Sequence, residues 1–92
     1  MIVPKAMKAA AERLGLTLKP GYLATLREGA SESLALEVWG EGPWSIDVIA
    51  TEERVGGGVA RDLWRGLDVG VYGTSRYDRW APAVGLGLHW GW

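Results

Sequence analysis

The chain has no cysteine, phenylalanine, asparagine or glutamine, and only one histidine, in 92 residues. Without cysteine there is no disulfide staple, no thiolate nucleophile and no Cys-ligated zinc. With His89 as the sole imidazole, a histidine-rich metal site is excluded too. No apolar run reaches the roughly eighteen residues of a membrane-spanning helix. The opening MIVPK lacks the apolar stretch of a secretory leader, which predicts a cytoplasmic chain or one packed within an assembled particle. Depletion of Asn, Gln and Cys is a mark of heat-adapted proteins. Few Phe, Ile and Lys beside many Gly, Ala and Arg is also what a GC-rich genome produces.

What is present suffices for one folded domain spanning residues 1–92. Hydrophobic residues make up 48% of the chain, and 14 glycines with 4 prolines fall short of a disordered composition. The net charge of −1 is unevenly spread. Lys5, Lys8, Arg13, Lys19 and Arg27 make the first third basic, whereas Glu32, Glu37, Glu41, Asp47, Glu52 and Glu53 make the middle acidic. Such a division suits contacts between subunits as well as contacts with nucleic acid.

The most informative stretch is the last thirteen residues, which hold three of the six tryptophans and no acid, Lys or Arg. Val84, Leu86, Leu88, Trp90 and Trp92 fall on one face of an extended strand; Gly85, Gly87, His89 and Gly91 fall on the other. An apolar face of this kind must lie against its own core, a partner chain or lipid. Six tryptophans are more than a small core hides, so Trp39 and Trp92 are expected at least partly exposed, with a core role open to the other four.

Residues 4–14 predict a short helix, with Pro4 at its first position, a stripe of Met7, Ala10, Ala11 and Leu14, and Gly15 as the cap. Residues 15–33 read as a connector containing the turn pair Pro20-Gly21, with 22–28 ambiguous between helix and edge strand. From 34 to 92 the period changes to two. Leu34, Leu36 and Val38, then Trp44, Ile46 and Val48, predict a hairpin across Gly40–Pro43. Leu67, Val69 and Val71 give a third strand, residues 73–82 a ten-residue loop, and Val84–Trp90 the closing strand. The expected fold class is α+β, a short N-terminal helix followed by a mainly antiparallel four- to five-stranded β-meander.

Three sites of chemistry are considered and set aside. Gly56-Gly57-Gly58 has the glycines of a phosphate cradle but neither the lysine nor the spacing of a nucleotide loop, and reads as a connector or bulge. His89 has Ser31, Ser33, Ser45 and Ser75 as candidate nucleophiles, none in a recognisable nucleophile setting. Glu52 and Glu53 are adjacent, so a strand would point them to opposite faces. No catalytic residue, cofactor or metal is therefore expected, and the protein is read as non-enzymatic. Arg76-Tyr77-Asp78-Arg79-Trp80 instead carries the residue types of binding hot spots and of single-strand stacking platforms.

Two short resemblances bear on function. Residues 10–29 (AAERLGLTLKPGYLATLREG) resemble the helix-turn-helix of small bacterial repressors, which implies a DNA-binding regulator with Arg27 on its recognition helix. Residues 84–92 are similar to the closing strand of outer-membrane β-barrels, which implies a membrane-associated β-oligomer, since four or five strands are too few to close a barrel alone. The reading favoured over both is a small structural module that binds protein subunits, such as other copies in a bacteriophage particle or filament. Its expected partner-binding residues are Arg76, Tyr77, Arg79, Trp80, Leu88, Trp90 and Trp92.

Overall fold

The computed structural model describes residues 2–26 and 28–90. Arg27 and Trp92, both assigned roles above, lie outside the described residues, as do Met1 and Gly91. A helix, α1 (Ile2–Leu14), precedes six strands: β1 (Leu18–Thr25), β2 (Gly29–Glu41), β3 (Trp44–Ala50), β4 (Arg54–Trp64), β5 (Leu67–Arg76) and β6 (Ala83–Trp90). The α+β class with an antiparallel meander holds, but there are six strands rather than four or five. β6 pairs back onto β1 and closes the sheet into a barrel, so the expectation that the chain cannot close one is corrected.

α1 begins two residues before Pro4 and ends as expected, with Gly15 at φ 68° and the Leu16 amide bonded 3.0 Å from the Ala11 carbonyl. Met7 and Ala11 pack on the outside of the barrel against Leu36 and Ala50, with Leu16, Leu18, Leu34 and Val48 around them. This anchors a helix too short to persist alone.

The region read as a connector is largely β-structure. Pro20 and Gly21 lie within β1 rather than at a turn, and residues 29–33 already belong to β2. Pro20 is tolerated because the β1–β6 ladder begins only at Gly21↔His89. A strand at 18–25 also removes the second helix that the repressor resemblance requires. The three glycines at 56–58 sit inside β4, not in a connector, and β5 runs on to Arg76, which shortens the expected ten-residue loop to residues 77–82. The β2–β3 hairpin turns on Gly42 (φ 60°) followed by Pro43, where the predicted hairpin needed it.

Closure with so few strands decides which residues point inward. Eight-stranded barrels just accommodate side chains inside, and six leave less room. Many of the inward positions are accordingly small, including Gly56, Gly58 and Ala60 on β4, Gly70 on β5, and Gly85 and Gly87 on β6. They surround Tyr72, the bulkiest fully buried side chain among the described residues, which clusters with Leu23, Ile49 and Ala60. The alternating face of β6 therefore resolves against the usual rule. Its glycines and His89 line the interior, and Val84, Leu86 and Leu88 point out.

Candidate functional site

The strand register arranges the outward side chains in rows around the barrel. Ile46 stands opposite Val59, Val59 opposite Val71, Val71 opposite Leu86, and Leu86 opposite Ala24, a hoop across five of the six strands. A neighbouring row runs Trp44, Arg61, Val69, Leu88 and Tyr22. Val71, Leu86 and Val84 are 55%, 62% and 69% exposed. α1 covers only the β2–β3 side, and no charged residue points outward from β6 or from β1 between Leu18 and Ala24. Scattered apolar residues are normal on a surface; these instead form continuous rows.

The tryptophans frame this band instead of filling a core. Trp39, Trp44, Trp64 and Trp90 cluster at the end holding the β2–β3 and β4–β5 turns and the β6 terminus. The first three are exposed and Trp90 is half-buried, with its ring 6.0 Å from that of Tyr22. The Arg61 and Arg65 guanidinium groups lie over the Trp44 and Trp64 rings at 5.2 and 5.3 Å. Trp80, 83% exposed, and Tyr77 sit at the opposite end.

The Arg76–Trp80 segment divides into anchors and a tip. Arg76 pairs with Glu53 at 2.9 Å, Asp78 at 3.2 Å and Glu28 at 3.5 Å. The Tyr77 hydroxyl donates to the Thr51 carbonyl, and the buried Arg54 bonds Glu28 and, at 2.7 Å, the Ala81 carbonyl. Arg79 and Trp80 are left facing solvent. Of the residues expected to bind a partner, Leu88 and Trp90 thus lie on the outer band of β6, Trp80 and Arg79 on an exposed loop, and Arg76 and Tyr77 hold that loop in place.

The barrel interior holds a polar cluster that sequence reasoning missed. Lys19, which is buried, bonds Asp68 and lies 3.1 Å from Asp47 and 3.7 Å from Glu37. Burial alone would lower the Lys19 pKa, but the hydrogen bonds and charges of Asp68 and Asp47 outweigh it and hold the ammonium above its ordinary range. Burial, and then the Asp47 charge, raises the Tyr72 hydroxyl, which donates to Asp47 at 3.4 Å. The available signal was Asp47 and Asp68 standing in the small-residue phase of alternating strands.

His89 and Ser33 do come together, with Nε2 2.6 Å from Oγ. Both are buried, and burial pushes His89 down to about 4, which makes it a weak base at neutral pH. Its Nδ1 has no hydrogen-bond partner, so the acid that would orient an acyl-transfer histidine is missing from this pair. The Gly56–Gly58 amides belong to the β4 strand ladders and form no anion cradle. Among the described residues no three His, Asp or Glu side chains are grouped to hold a metal ion, and no helix is long and apolar enough to cross a membrane. Comparison with protein-family models, curated proteins and solved structures finds no match to this chain.

Proposed function

We propose that the protein is a non-enzymatic association module that works through the outside of its barrel. The observation that carries this reading is the Ile46–Val59–Val71–Leu86–Ala24 hoop, which faces outward while Lys19, Asp47, Asp68 and His89 share the interior with Tyr72, Leu23 and Ile49. Holding Lys19, Asp47 and Asp68 inside while a continuous apolar hoop faces out departs from the usual partition, and an apolar band of this extent favours a cover that removes it from water. Protein subunits, the partner favoured from the sequence, are one such cover. Trp80 and the end tryptophans supply amphipathic contacts at the margins of the covered zone.

The test compares the intact chain with a Val71→Asp/Leu86→Asp variant by light scattering after size exclusion, in plain buffer and with detergent micelles. The intact chain is expected to self-associate or enter micelles. The variant is expected to run near 10.0 kDa in both conditions with an unchanged far-UV spectrum. An intact chain that stays monomeric at high concentration and ignores micelles would sink the reading.

A further inference from the structure

Resting on that reading, we infer that the surface covering the barrel is the hydrocarbon of a lipid leaflet, entered side-on with β5 deepest. In a ring of six strands in chain order, β5 lies opposite β2, and β5 is also the middle strand of the five-strand hoop. The apolar band thus wraps most of a narrow convex cylinder. A rigid second copy, itself convex, meets such a surface along a stripe of neighbouring strands and leaves the remainder in water. Acyl chains conform to the whole arc.

Charge divides the outer wall in the same way. The β5 positions Leu67, Val69, Val71 and Gly73, and the β6 positions Val84, Leu86 and Leu88, carry none. Arg61 apart, charge on the outer wall gathers across the ring, in Lys5, Lys8, Glu12 and Arg13 on exposed positions of α1 and in Glu32 on β2, while Asp62, Arg65, Asp78 and Arg79 stand beyond the two ends of the apolar band. This gives the cylinder a dry side and a wet side. Arg61 on β4, the charged exception in the apolar rows, lies over the Trp44 ring of β3, so its long side chain reaches away from β5 toward the interface.

With the barrel on its side the waterline runs along β1 and β3, two strands to either side of β5, where Tyr22 and Trp44 stand outward and exposed. Tryptophan and tyrosine collect where hydrocarbon meets headgroups. A closed antiparallel ring leaves no strand edge to be desolvated. The depth argues for entry rather than crossing. The seven residues from Val84 to Trp90 span about 20 Å along the strand. Barrel strands tilt by about 40°, which leaves a band about 15 Å tall. A full hydrocarbon core is about 30 Å thick, and the charged face of α1 must also stay in water.

Because the chain has no native cysteine, single labels report position cleanly. Val71→Cys, Lys8→Cys and Glu32→Cys, each carrying an environment-sensitive fluorophore, are mixed with phosphatidylcholine/phosphatidylglycerol vesicles and with brominated lipids. The expected result is a blue shift at position 71, with at least about threefold quenching by brominated lipid, and water-like spectra at 8 and 32. Flotation with the vesicles is expected to fall at least about tenfold in Val71→Asp/Leu86→Asp. A blue shift at 71 that grows with protein concentration and ignores lipid assigns the face to a second copy; it overturns the lipid inference and leaves the association reading standing. Equal quenching at all three positions overturns side-on entry. A water-like label at 71 under every condition overturns both readings.

Discussion

Gly87 faces Tyr72 so closely that a Cβ on the glycine would stand 2.6 Å from the tyrosine ring. Gly70 and Gly58 crowd the same ring, at 2.7 and 2.8 Å from where their Cβ atoms would be. The Tyr72 ring, with His89 edge-on to it at 5.6 Å, thus fills much of a narrow barrel, and the glycines of β4, β5 and β6 are the space it occupies.

Gly87→Ala is accordingly expected to cost about 1–3 kcal/mol, the usual penalty for overpacking a filled core. Gly73→Ala is the control, since a Cβ there meets nothing within 4 Å. It should leave stability unchanged or raise it by up to about 1 kcal/mol through the unfolded chain. Urea denaturation separates the two, and equal effects would contradict the packing described.

Lys19 is the cation that offsets Asp47 and Asp68 inside the barrel. Removing one member of a buried ion cluster typically costs about 3–5 kcal/mol because its partners stay buried unpaired. Lys19→Met should therefore destabilise strongly, and Lys19→Met/Asp68→Asn should recover a measurable part of the loss in the same denaturation series. A neutral Lys19→Met would mean that the carboxylates are solvated in the folded chain.

Stability should also depend on the protonation of His89. Its pKa of about 4 in the folded chain lies below the ordinary value of 6.5, so between these limits the unfolded chain binds the extra proton. The contribution is complete above about pH 6.5, declines by about 3 kcal/mol as pH falls to 4, and is level below that. In His89→Gln the slope across this window should flatten. The Glu28 carboxylate, held below its ordinary range chiefly by the hydrogen bond with Arg54, loses its own contribution at still lower pH. Chemical denaturation at several pH values would reveal a persistent slope if other groups were responsible.

Arg54 clamps the loop at residues 77–82 through Glu28 and the Ala81 carbonyl. Arg54→Met should cost about 2 kcal/mol for the lost charged hydrogen bonds. It should also hasten tryptic cleavage at Arg79 severalfold, because the loop then opens locally without global unfolding. Unchanged cleavage would show that Arg76 and Tyr77 suffice to hold it.

Strong alternation made β2, β3, β5 and β6 legible in the sequence, and the Pro4–Gly15 pattern did the same for α1. Residues 18–25 and 54–64 were harder, because Pro20-Gly21 and Gly56–Gly58 have the composition of turns. Their local preference is overridden by tertiary need. A Cβ at Gly21 would stand 1.9 Å from the Leu88 carbonyl, and one at Gly56 1.9 Å from the Gly73 carbonyl, so the strands approach closely at both places. The Ser33–His89 contact was out of reach too, since the two residues are 56 apart and meet only once the barrel closes.

By itself the sequence determined the alternation and therefore which residues share a face. Val84, Leu86 and Leu88 must stand together, with Gly85, Gly87 and His89 on the other side, because successive strand side chains point in opposite directions. Only the tertiary structure decided which face is inside. A six-stranded ring holds Tyr72, Leu23, Ile49 and His89 only with glycines facing them, and has no room for the leucine and valine row of β6 as well, so closure turned Gly85, Gly87 and His89 inward and left Val84, Leu86 and Leu88 on the surface.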